Sequence, residues 1–163
     1  MVQKLGGNSL RIMRTVEPDT VNSVQPPPDW EPIDFAVDSG ASETVMSEGL
    51  IRSVEVTPSA ASLRGVKYEV ANGEHIPNLG EKHLRGFTDQ EGFPGHVTAQ
   101  VCDVSKPLMS VAKLVKTGNT VVFTGSGSYI ENDQTAERTW LREEGGMYMA
   151  RLWIPAKPEA AGF

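Results

Sequence analysis

A chain of 163 residues with 15 basic and 21 acidic side chains, net charge −6 and a pI near 5.1, has the size of one ordinary domain with tails. It lacks the basic surface on which nucleic-acid binding depends, so no direct nucleic-acid partner is expected. The single cysteine, Cys102, excludes an intramolecular disulfide, and no apolar run is long enough for a signal peptide or a membrane span; the expectation is an intracellular, cytoplasmic chain with no membrane partner.

In chain order, residues 1–30 read as a flexible polar leader ending in Pro26-Pro27-Pro28-Asp29, whose prolines favour an extended path outside any core. Strand formers then recur at short intervals over 33–37, 53–56, 65–70, 74–77, 82–87, 96–101, 120–123, 128–131, 139–142 and 147–154. Turn residues separate them, among them Asn72-Gly73, Gly118-Asn119 and Gly145-Gly146, so the chain reads as all-β. One stretch, 108–117, spaces Leu108, Val111, Ala112, Leu114 and Val115 near one helical turn, with Gly118 at the C-cap position, and predicts the only helix. Residues 156–163 read as a frayed tail.

The chemistry concentrates in Phe35-Ala36-Val37-Asp38-Ser39-Gly40-Ala41-Ser42. Phe35 and Val37 predict a strand, and the Ser-Gly pair ends it, so Asp38 stands at the end of a rigid element rather than on a loose loop. A carboxylate so placed polarises a water, but attack on a peptide carbonyl also needs a proton delivered by a second acid. No second copy of the run exists: Asp19-Thr20 leads into Val21, Phe123 precedes Thr124-Gly125, and Asp103-Val104 and Asp133-Gln134 lack the turn residues. A catalytic reading therefore requires a homodimer in which each chain supplies one Asp38.

With these residues laid out, the chain resembles the retropepsin-like aspartic proteases, and more closely the protease segment of copia-type retrotransposon polyproteins, from about Ile33 to Trp153. The motifs that carry the resemblance are Val37-Asp38-Ser39-Gly40-Ala41-Ser42, the run Val70-Ala71-Asn72-Gly73-Glu74-His75-Ile76-Pro77-Asn78-Leu79-Gly80, and Leu108-Met109-Ser110-Val111-Ala112-Lys113-Leu114 followed by Gly118 to Phe123, which is similar to the apolar strand, short helix and closing strand after the flap. Gly127-Ser128-Tyr129-Ile130 and Gly146-Met147-Tyr148 are similar to the hairpins that follow the protease in such elements. An Asp-Ser-Gly alone is weak; the ordered set is specific.

The resemblance implies a closed-barrel lobe that dimerises, with a protease domain over 31–125 and a β-hairpin extension over 126–155. It implies Asp38 as the catalytic acid, Ser39, Gly40 and Ala41 as the active-site turn, and Val70, Ala71, Asn72, Gly73, Glu74 and His75 as a substrate-binding flap. The substrate would be an extended polypeptide, such as a polyprotein processed in virus-like particles, and no metal or cofactor is needed. In retroviral members an Asp four residues past the catalytic one pairs with an Arg at the start of the late helix; here Ser42 and Val111 hold those places, and Ser110 stands where they have Gly.

Other readings weigh less. His75, His83, His96 and Cys102 lack zinc-ligand spacing and read as surface or flap residues and, for Cys102, a small buried hydrophobe. Gly125-Ser126-Gly127-Ser128 reads as a hairpin turn, Asp34 as an exposed strand carboxylate, and Trp30, Trp140 and Trp153 as packing residues. A dUTPase-like reading of the Asp-Ser-Gly segment fails because Ala41-Ser42-Glu43 replaces the Tyr-Arg-Gly that would follow. The alternative to an enzyme is a catalytically inactive relic or a peptide-binding β-domain.

Overall fold

The computed structural model describes residues 2–4 and 29–157. Its strands are β1 (Val2–Lys4), β2 (Trp30–Asp38), β3 (Val45–Met46), β4 (Lys67–Glu69), β5 (His75–Pro77), β6 (Gly80–Thr88), β7 (Pro94–Val101), β8 (Leu108–Ser110), β9 (Asn119–Val122), β10 (Tyr129–Asn132), β11 (Arg138–Trp140), β12 (Arg142–Glu144) and β13 (Met147–Pro155). Two short helices, α1 (Ala60–Leu63) and α2 (Val111–Lys116), interrupt them. The chain is thus mainly β, as its alternating strand formers and closely spaced turn residues predict.

Seven strands form the main sheet in the order β12-β13-β2-β8-β3-β7-β6. β13 runs antiparallel to β2 from Met149↔Ala36 to Pro155↔Trp30, and it also pairs with β6 through Leu152↔Thr88 and Trp153↔Phe87. That last pairing carries the order back from β6 to β13. It is possible only because Gly86 has no side chain: a Cβ there would collide with the Trp153 carbonyl.

β2 buries one face along Ile33, Phe35 and Val37 and the other at Ala36. Ile33, Phe35 and Val37 point into one cluster with Met46, Leu84, Val101, Met109, Leu152 and Ile154, while Ala36 joins Ala41, Val45, Tyr68, Val70, Cys102 and Leu108 on the other side. Full burial of side chains such as Phe35 and Leu108 contributes about 2 kcal/mol each. Cys102 belongs to this core, 1 % exposed, and burial pushes its thiol up to about 12, the behaviour of a small apolar residue.

Several expected elements take another form. Leu108, Met109 and Ser110 do not begin the helix; they are drawn into β8, between β2 and β3, where all three are buried. The segment 53–56 forms no strand, and the edge of β6 is met there only by a bridge between Thr57 and Glu81. The segment 139–142 is split at Leu141 into β11 and β12, which belong to different sheets. α1 has no apolar periodicity to betray it; it is held by a reciprocal cap in which Ser59 Oγ accepts from Ser62 N at 3.0 Å and Ser62 Oγ from Ser59 N at 2.9 Å.

A division at residue 125 cuts through one packed unit. β13 supplies a full edge of β2, and Ile130, Ala150, Leu152 and Ile154 share a cluster with Phe35. The leader expected over 1–30 overlaps β2, which begins at Trp30, and contains β1; residues 5–28 and 158–163 lie outside the described residues.

Lys82 is buried at 2 % exposure within β6. Its ammonium donates to the carbonyls of Glu48 (3.0 Å), Leu50 (2.8 Å) and Ile51 (3.1 Å), so one cation satisfies the loop that follows β3. Burial holds its pKa below 10.5, partly offset by Glu48 and Glu31.

Candidate functional site

Asp38 ends β2 and lies opposite Ser110, with β13 on the other flank of the strand. Its carboxylate is partly exposed, and Oδ1 accepts a hydrogen bond from the Gly40 amide at 2.7 Å. An Asp that bonds the amide two residues on fixes its own turn. Ser39 and Gly40 are exposed, whereas Ala41 is buried at 2 %. Gly40 itself stays out of the positive-φ region.

The turn is clamped from behind. Ser110 Oγ donates to the Ala41 carbonyl at 2.7 Å, and Ser110 N donates to Thr44 Oγ1 at 3.0 Å, both in fully dry surroundings. The same Ser110 Oγ accepts from Lys113 N at 3.2 Å and caps α2. Beside it Lys113 Nζ pairs with Glu43 at 3.2 Å, a tie between the turn segment and the late helix that stands one residue beyond Ser42 and two beyond Val111. Neither clamp is visible in a motif, because each joins residues far apart in the chain.

The six residues expected as a flap form one hairpin tip. Val70 N donates to Glu74 O at 2.9 Å and Gly73 N to Val70 O at 2.9 Å, closing a three-residue loop between β4 and β5. Only Gly73 takes positive φ (86°); Asn72 instead uses its side chain, accepting from Glu74 N at 2.9 Å. Asn72, Gly73, Glu74 and His75 are exposed, Ala71 is partly buried, and Val70 is 8 % exposed. At the hairpin base Tyr68 is wholly buried, its hydroxyl accepting from Asn78 Nδ2 at 2.9 Å; burial pushes its pKa up to about 12.

Turn and hairpin are joined through the core: Ala41, Val70 and Tyr68 share one cluster, with Ile76 and Val104 packed on its margin. A small cleft of about 110 Å³ opens between the hairpin and the 103–106 loop, lined by Val70, Glu74, Ile76, Val104, Ser105 and Lys106 among others. The 103–106 loop carries no motif and becomes part of the site only through this packing. Larger clefts of about 350 and 450 Å³ lie along β7 and α2; neither Asp38 nor the hairpin lines them.

The remaining candidates take structural places. Asp34 is not a free carboxylate: Arg151 holds it in a fork at 2.7 and 2.9 Å, and Arg142 adds a bond at 3.1 Å. His75, His83 and His96 are exposed, and His83 bridges Glu81 and Thr98 at 3.0 and 3.2 Å. Among the described residues no group of three His, Cys, Asp or Glu side chains is placed to hold a metal, and no helix is long and apolar enough to cross a membrane. Trp30 packs edge-on against Phe87 and Trp153 donates to Asp89 at 2.7 Å, while Trp140 stays 41 % exposed. No family model, no curated protein and no solved structure matches this chain.

Proposed function

We propose that the chain is one half of a dimeric aspartic endopeptidase, of the retropepsin-like kind its motifs resemble, acting on an extended polypeptide. The observation that carries this reading is Asp38: a partly exposed carboxylate at the end of a strand flanked on both sides, its turn tied down by Ser110 and bonded by the Gly40 amide. The Ser39 hydroxyl, exposed and without a hydrogen bond among the described residues, is available for a bond across a dimer axis. In such a dimer the two Asp38 carboxyls share one proton, because like charges that close cannot both ionise; one then acts as base toward a water and the other as acid toward the substrate carbonyl. No covalent intermediate is formed.

The test is a peptide-library digest at mildly acidic to neutral pH with the parent chain and Asp38→Asn. Cleavage that rises with the square of dilute protein concentration and disappears in Asp38→Asn supports the reading. Cleavage by both chains marks a contaminant, and cleavage by neither removes the reading.

A non-catalytic peptide-binding β-domain is the second reading. The pairing of β1 with β4 favours it, since that edge already holds a strand without any chemistry.

A further inference from the structure

The β4–β5 hairpin has one occupied outer edge. β4 pairs with β5 through Tyr68↔Ile76, and the bonds from Val70 N to Glu74 O and from Asn78 N to Val66 O set the alternation on either side of it. In an antiparallel pair the hydrogen-bonded and open positions alternate, so Tyr68 spends its peptide groups on β5 while Lys67 and Glu69 turn theirs outward. β1 runs parallel along that outward side, Val2↔Lys67, Gln3↔Tyr68 and Lys4↔Glu69. In this register Gln3 sits between the Lys67 carbonyl and the Glu69 amide.

We propose that the outer edge of β4 is a binding edge for an extended peptide, and that Val2–Lys4 is its intramolecular occupant, shielding the hairpin until a second peptide takes its place. An open edge of unpaired N–H and C=O groups binds added strands through the main chain, with little demand on side chains. Tyr68 anchors the edge: its wholly buried side chain and its bond from Asn78 hold β4 rigid, so the edge is preorganised for a strand. Covalent connection to the rest of the chain gives Val2–Lys4 the advantage of an intramolecular competitor over a free peptide of the same affinity. The inference rests on the peptidase reading only in naming the displacing peptide as substrate; the edge and its occupant do not depend on catalysis.

The experiment uses the full chain carrying Asp38→Asn, so that nothing is cleaved, with and without Gln3→Pro, which removes the paired N–H and cannot continue the ladder. Gln3→Ala serves as control. Hydrogen exchange should show the Glu69 amide opening roughly tenfold faster in Gln3→Pro than in Gln3→Ala, with the Val70 amide, bonded to Glu74, unchanged. A fluorescein-labelled peptide with the sequence Met-Val-Gln-Lys-Leu-Gly-Gly-Asn should bind the Gln3→Pro chain and not the Gln3→Ala chain. Unchanged exchange at Glu69 overturns the proposal, as does a peptide that binds both chains alike or neither. Because the measurement is made without hydrolysis, its result stands apart from loss of the peptidase reading, which is decided by cleavage alone.

Discussion

Ser110 Oγ lies 2.7 Å from the Ala41 carbonyl, 69 residues away in the chain, and closes the turn that presents Asp38. One hydroxyl thereby does two tasks, since it also accepts from Lys113 N at the start of α2.

Ser110→Ala should leave the buried Ala41 carbonyl unpaired and uncap α2, lowering stability by about 2 kcal/mol. Urea unfolding reads this as a fall in midpoint with an unchanged slope. If the chain is a peptidase, cleavage should fall more steeply than the folded fraction does, because the Asp38 turn loosens before the domain unfolds.

Gly86→Ala tests the pairing of β13 with β6. Its methyl would strike the Trp153 carbonyl, and Ile154 Cδ1 lies 3.0 Å from the same point, so neither strand can yield without giving up the pairing. A loss of about 3 kcal/mol or more is expected, with the amide of Phe87, which turns toward β13, losing exchange protection before that of Thr88, which donates to the Phe93 carbonyl. Full retention of stability would show that β13 and β6 are not held together there.

Asp34→Asn removes the charge held by Arg151 and Arg142. The side chains are roughly a third exposed, so solvent screening limits the cost to about 1 kcal/mol. The hydrogen bond from Arg151 to Asp34 raises the Arg pKa, so the guanidinium keeps its charge and the contribution of the pair should shrink with added salt. Thermal midpoints of parent and variant should therefore converge at high ionic strength.

His96, exposed on β7, has its pKa held below 6.5, chiefly by partial desolvation of its ring and then by the charges of Arg85 and His83. Between that lowered value and 6.5 the unfolded chain binds more protons than the folded one, so His96 weakens the fold as pH falls through this window and contributes nothing above it. His96→Gln should therefore narrow the stability lost between pH 7.5 and pH 5.5, as read from urea midpoints. An identical loss in parent and variant would exclude His96 as a source.

Much of this architecture is written locally. Phe35 and Val37 announce a strand, Asn72-Gly73 a hairpin tip, and Asp38-Ser39-Gly40 a turn that bonds its own backbone, as the 2.7 Å contact from Gly40 N bears out. Where a residue's conformation depends on a distant partner, local pattern misleads. Leu108 and Met109 have helical spacing, yet the gap between β2 and β3 takes them as a strand. Asp34 looks like a surface acid until β12 and β13 bring two arginines to it.

From the order of residues alone come the all-β character, the hairpin and the lone candidate acid, because side-chain alternation and turn chemistry act within a few bonds. The folded molecule settles what no short window contains: β13 beside β2, Ser110 beneath Ala41, Lys82 among three carbonyls, and β1 along the hairpin edge. These join segments distant in the chain, and they form only when burial of a shared core repays the entropy of bringing such segments together.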